Sequence, residues 1–222
     1  MIKRLKHKIF KSIYQLLRFG NFMPSTSQIS LGKDVKLYGS RLDGNISIGE
    51  GVRVARCELY GTIEVGRYTS INGPNTDVVA DGGKVTIGQF CSIARHVSMQ
   101  VSNHAMSRAT TYPIFKNVFK EKCDDEFTSK GNIVIGNDVW IGTHSVILSG
   151  AKINDGAIVA ANSVVTGEIP AYAIVAGAPA KVLKYRFPQN VIDDLLEKQW
   201  WNWAIEKIKD EKTFFSQDLN QT

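Results

Sequence analysis

The chain has 222 residues, 43% of them hydrophobic and 22% charged, and carries a formal net charge of +6 at neutral pH. This length can bury a sizeable core, the composition is that of an ordinary folded soluble protein, and no apolar run approaches the roughly 18 residues that cross a bilayer. Disorder and membrane spanning are therefore excluded. The excess charge is concentrated in Lys3, Arg4, Lys6, Lys8, Lys11 and Arg18, which is a local basic face and not a nucleic-acid surface spread over a fold. Cys57, Cys91 and Cys123 are odd in number and form no CxxC pair, as expected of free thiols in a reducing cytoplasm without a zinc site or disulfide framework.

The opening segment, MIKRLKHKIFKSIYQLLRFG, sets Ile2, Leu5, Ile9, Ile13, Leu16 and Leu17 at roughly helical spacing among lysines, with Gly20 as a stop. It predicts an amphipathic helix with two roles open: packing on protein, or lying on an anionic membrane surface. The charges interrupt any apolar core that a secretory signal would need.

From Ile29 onward a six-residue rhythm appears in irregular form. Leu31, Leu37, Ile48, Val54, Val65, Ile71, Ile87, Ile93 and Met99 open successive blocks. The steps from Leu31 to Ile48 and from Ile48 to Val65 are each 17 residues, one short of three hexads, which predicts one trimmed corner per turn. The step from Val65 to Ile87 is 22, and the extra residues are expected to bulge out as a loop around Gly73 to Gly83. Between Met99 and Ile133 the rhythm fails, which predicts an insertion (100–132) expelled from the stack, the kind of segment where function concentrates.

That insertion contains Asn103-His104 and Thr111-Tyr112-Pro113. Histidine titrates near neutrality and can take and return a proton. Of the four histidines, His7 belongs to the basic segment, and His96 and His144 occupy the fourth place of a hexad, where a solvated residue is expected. His104 alone is either a proton acceptor or a loop residue bonded for structure.

The rhythm returns in full register from Ile135 to Thr166, where Ile135, Ile141, Ile147, Ile153, Val159 and Val165 open six blocks. Neither a helix nor plain strand alternation gives a period of six. A coil of three short flat strands joined by tight corners does, with the aliphatics inside and small residues such as Gly136, Gly142, Asn154 and Ala160 at the corners. Beyond Lys181 the repeat stops. Pro188 followed by Val191, Ile192, Leu195, Leu196 and Trp200 predicts an amphipathic helix capping the coil, with the tryptophans as packing residues.

The repeat, the Asn103-His104 loop, IGNDVWIG at 135–142, AANSVVTGEIPAYAIVAGAPAK at 160–181 and the tail RFPQNVIDDLLEKQWWNW together resemble the hexapeptide-repeat acyltransferases, in particular the xenobiotic and streptogramin acetyltransferases and their polysaccharide-modifying relatives. The resemblance covers about residues 29–205. It implies an all-β fold, a left-handed parallel β-helix (29–183) between an N-terminal helix and linker (1–28) and a C-terminal helical extension (184–222). It further implies a homotrimer with sites between subunits, and acetyl transfer from acetyl-CoA with no metal and no nucleic-acid partner. His104 matches the catalytic histidine, a general base for direct transfer. Trp140, Thr143, Ala161, Thr166 and Lys181 match contacts to coenzyme A. The acceptor reads as a carbohydrate hydroxyl of a cell-surface polysaccharide or its precursor, in the cytoplasm at the inner face of the membrane. A streptogramin, chloramphenicol or a sugar amine are the alternatives, and a non-catalytic scaffold is the alternative outside the enzymes.

Overall fold

The computed structural model describes residues 20–219; the expected amphipathic N-terminal helix lies outside the described residues. The chain coils into a parallel β-helix whose three walls are stacked ladders of hydrogen-bonded strands. On the first wall Leu31, Ile48, Val65, Ile87, Ile135, Ile153 and Ile169 lie one above another. The second stacks Leu37, Val54, Ile71, Ile93, Ile141, Val159 and Val175. The third stacks Leu42, Leu59, Val78, Met99, Ile147 and Val165. From Ile48 to Val175 these columns are buried and form one continuous apolar core. Burying a branched aliphatic is worth roughly 1.5–3 kcal/mol, so the hexad aliphatics are the main source of stability.

The corners refine the expectation from sequence. The sharp left-handed residue is not the small one directly after each aliphatic but lies two places later: Asp138 (φ 54°), His144 (61°), Gly156 (68°) and Asn162 (61°). Gly136 and Gly142 are small for a different reason. A Cβ on Gly142 would come within 2.5 Å of the Ala161 backbone nitrogen in the next coil, so the stacking distance requires hydrogen there. His96 and His144, expected as plain solvated residues, hold left-handed corner positions and stack on each other, with ring centroids 4.5 Å apart.

In the N-terminal coils the strand Arg53–Val65 runs from the second wall through the third to the first, turning at the left-handed Arg56 (φ 55°) between Val54 and Leu59, the trimmed corner that the 17-residue step predicts. The loop expected around Gly73 to Gly83 does not form, because Ser70–Ile87 is one long strand. Its extra residues divide between two places: residues 73–75 oppose Arg56 alone, and 81–83 are inserted where Gly61 and Thr62 are adjacent. Extra residues at corners leave every inward position in phase, whereas extra residues within a wall would flip its side chains outward.

In the C-terminal region the helix after Pro188 forms as expected, whereas the strand before it and the course of the tail beyond it were not legible in the rhythm. The strand Lys181–Tyr185 turns back and pairs antiparallel with Ala173–Ala176, covering that edge of the last coil. The helix Gln189–Lys198 follows Pro188 and packs Ile192 and Leu195 on Tyr172. The tail beyond it runs back along one corner, where the Arg67 guanidinium donates to the carbonyls of Trp201 (2.6 Å) and Trp203 (2.5 Å), and Trp200 packs on Phe90. Trp201 is buried and Trp200 half-buried, as packing residues. Among the described residues no helix is long and apolar enough to cross a membrane.

Candidate active site

The insertion leaves the stack after the third wall, and both of its feet are tied to the same corner. The buried Ser149 hydroxyl oxygen accepts from Asn103 Nδ2 (3.1 Å) and from the Lys130 backbone N–H (3.3 Å). Ser129 Oγ donates to the Val101 carbonyl (2.6 Å). Between these feet Asn103–His104 pairs antiparallel with Phe127–Thr128, so His104 stands on a short ladder rather than on loose chain.

The His104 ring is exposed and its environment defines its chemistry. Nδ1 lies 2.7 Å from the Thr111 carbonyl oxygen. A carbonyl only accepts, so Nδ1 carries a hydrogen, and in the neutral ring the lone pair is on Nε2. Phe127 packs against the ring at 5.3 Å between centroids. Beside it opens a cavity of about 280 Å³, lined by His104 with Asn103, Met106, Thr128, Leu148 and Thr166, among others. An imidazole with one nitrogen fixed as donor and the other a free acceptor at a cavity is the arrangement required of a general base.

Of the residues matched to coenzyme A contacts, the fold of the single chain brings only Thr166 to this cavity. Trp140 (54% exposed) stands on the outer face of the second wall, paired with Ile158. Thr143 and Ala161 continue from it at the following corner, where the Thr143 carbonyl accepts from the Asn162 N–H and Thr143 Oγ1 donates to the Arg95 carbonyl. Lys181 is exposed and pairs with Ala176 on the same wall's last coil. Trp140, Thr143, Ala161 and Lys181 thus mark one wall and its margin, and His104 with Thr166 marks the exit of another.

Sequence reasoning missed the parts that Thr111 and Ser149 play in holding His104 and its insertion. Thr111 acts through a backbone carbonyl, which no side-chain pattern announces. Ser149, in the third-wall corner, carries a weak signal as a buried hydroxyl directly facing the insertion. No cysteine competes as nucleophile in the core: burial pushes the Cys57 and Cys91 thiols up to about 12, and both are packed among the aliphatics. Among the described residues no group of three or more His, Cys, Asp or Glu side chains is placed to hold a metal ion.

Residues 132–167 match the family described as bacterial transferase hexapeptide (six repeats). A chloramphenicol acetyltransferase from Klebsiella aerogenes is 39% identical over 169 residues, covering 66% of this chain and 79% of that one. A putative lipopolysaccharide biosynthesis O-acetyl transferase from Escherichia coli (strain K12) is 29% identical over 178 residues, covering 80% of this chain and 82% of that one. A crystal structure of a mutant of AntD, an N-acyltransferase from Bacillus cereus, in complex with dTDP and coenzyme A, shares the fold with a TM-score of 0.61 at 24% identity, covering 77% of this chain and 89% of that one. Hexads in register, one expelled loop bearing a tautomer-fixed histidine, and sequence identity along most of a relative's length lead to one conclusion: this chain belongs to the hexapeptide-repeat acetyltransferases.

Proposed function

We propose that the enzyme transfers an acetyl group from acetyl-CoA directly to a hydroxyl of a carbohydrate, a cell-surface polysaccharide or its precursor, with His104 as general base. The observation that carries the reading is the Nδ1 contact to Thr111, which leaves Nε2 as a free acceptor at a cavity. Nε2 takes the proton of the acceptor hydroxyl as its oxygen attacks the thioester carbonyl, because a neutral alcohol is a poor nucleophile. Backbone N–H groups stabilise the oxyanion, and the tetrahedral intermediate expels the thiolate of coenzyme A, which recovers the proton from the imidazolium.

The two groups of site residues are reconciled by a homotrimer. Trp140, Thr143, Ala161 and Lys181 on the wall of one subunit would face His104 and Thr166 of the next, with the narrow pantetheine chain running along the small residues between them. Lys181 would meet a phosphate of the nucleotide.

The carbohydrate is favoured by coverage: the lipopolysaccharide-type relative spans 80% of this chain, against 66% for the chloramphenicol enzyme. The basic N-terminal segment would hold the enzyme at the inner face of the membrane, where lipid-linked sugars are assembled. The higher identity to the chloramphenicol enzyme supports a drug acceptor as the second reading. An acceptor panel of sugar nucleotides and lipid-linked sugars against chloramphenicol and a streptogramin, with thiol release from acetyl-CoA as readout, separates them. In the same assay His104→Ala is expected to lose at least about a hundredfold in rate, the scale of a lost general base; a fully active variant would remove His104 from the mechanism.

A further inference from the structure

The imidazole is locked by the Thr111 carbonyl, but Thr111 lies in an exposed part of the insertion and makes no ladder with the strand that carries His104. Something must hold residue 111 at the distance of one hydrogen bond. Glu126 is placed to do so. It is a carboxylate in a loop of mostly exposed and half-buried residues, yet it is only 6% exposed itself. Its Oε1 accepts from the Phe115 N–H (2.6 Å) and its Oε2 from the Lys116 N–H (3.1 Å), the opening N–H groups of the single turn Phe115–Phe119. Its backbone carbonyl accepts from the Ala105 N–H (3.0 Å), directly after His104, and its neighbour Phe127 is His104's ladder partner.

We infer that Glu126 is a positioning residue for catalysis, bracketing the segment that carries the Thr111 carbonyl to the strand that carries His104 and so fixing the imidazole with its hydrogen on Nδ1. The main chain of Glu126 registers one side of the bracket and its carboxylate the other. A buried carboxylate that accepts two backbone N–H groups is strongly bound to that geometry, because removing it strands both donors. Between Thr111 and Phe115 only Tyr112, Pro113 and Ile114 intervene, and Pro113 restricts that link, so the position of the Phe115 amide is transmitted to the Thr111 carbonyl. The Ile114 N–H to Tyr112 carbonyl contact (2.7 Å) tightens the same link.

The inference rests on the reading of His104 as base, so its test needs one readout that does not pass through activity. In the full-length protein labelled with ¹⁵N-histidine, the wild-type His104 signals are expected to report hydrogen on Nδ1. Glu126→Ala is expected to shift them toward the Nε2–H tautomer or an average of the two. With acetyl-CoA and the best acceptor found, the same variant should lose about ten- to a hundredfold in kcat, with KM for acetyl-CoA within about twofold. Glu126→Gln, which keeps one acceptor oxygen in nearly the same place, should recover most of that loss and the wild-type tautomer.

Unchanged His104 signals in a folded Glu126→Ala protein would overturn the bracket whatever the activity did. So would a loss confined to KM. If Glu126→Ala does not fold, Glu126→Gln decides the question: wild-type signals and kcat within about fivefold of wild type support the bracket, and wild-type signals with a hundredfold lower kcat refute it. Full activity in His104→Ala, by contrast, would strike the base assignment while leaving the tautomer result standing.

Discussion

At the scale of single residues, burial and close approach decide what each group can do. Cys57 and Cys91 sit in the aliphatic core with thiols raised to about 12 from an ordinary value of 9.0, whereas Cys123 lies half-buried in the insertion. A thiol reagent at pH 8 is expected to label Cys123 first and the other two only on unfolding, which peptide mass spectrometry reads directly. The same shift carries a sign for stability. A thiol whose folded value exceeds its unfolded one contributes fully below pH 9 and loses that contribution as pH rises from 9 toward 12, at up to about 1.4 kcal/mol per pH unit for each thiol. Urea midpoints between pH 9 and 11 should therefore fall more steeply in wild type than in Cys91→Ala. Glycine offers a paired test of the stacking distance. Gly142→Ala puts a Cβ 2.5 Å from the Ala161 nitrogen and should cost about 1–3 kcal/mol, while Gly167, with open space around it, should accept alanine within about 0.5 kcal/mol. Equal urea midpoints for the two would contradict this account of why the position after each aliphatic is small.

Among the elements, the C-terminal tail shows how a segment outside the repeat is held. Its attachment to the corner converges on Arg67, which donates to two tail carbonyls and to Gln89 Oε1 (2.6 Å) while lying over the Phe90 ring. Arg67→Ala removes the donor from two carbonyls and is expected to cost about 3–6 kcal/mol locally, at about 1.5–3 kcal/mol for each hydrogen bond to a charged group. Limited proteolysis should then cut within residues 199–219 well before the coil is attacked. Cleavage at wild-type rate would mean that the aromatic contacts of Trp200 and Trp203 suffice. The insertion is the second such element. Its ladder with Phe127–Thr128 and its feet on Ser149 could not be foreseen from its own sequence, where Asn103-His104 looked like loop.

For the whole molecule, the ladders pass beneath the insertion without a break: Ile87 pairs with Ile135 and Met99 with Ile147 as though residues 102–132 were absent. The stack therefore does not depend on the insertion for its core. Replacing residues 105–126 by a short glycine-serine linker is expected to leave cooperative unfolding and the β-type circular dichroism signal intact while abolishing acetyl transfer. Loss of the β signal would show that the insertion is part of the folding unit. Removing a core rung has the opposite pattern. Ile141→Ala, in the middle of the second wall, should cost about 2–5 kcal/mol.

The sequence alone determined the coil, because an inward aliphatic at every sixth position is a local property of the chain and each wall repeats it. It also singled out His104, the one histidine that lies in the expelled segment, and the family motifs around it. The tertiary structure decided the remainder. Which corner residue turns left-handed, where five extra residues are absorbed and which edge Lys181–Tyr185 covers all depend on contacts between coils distant in sequence. The position of the hydrogen on the His104 ring is set by a backbone carbonyl at Thr111, and every residue carries such a carbonyl, so only the folded loop could reveal which one the imidazole meets.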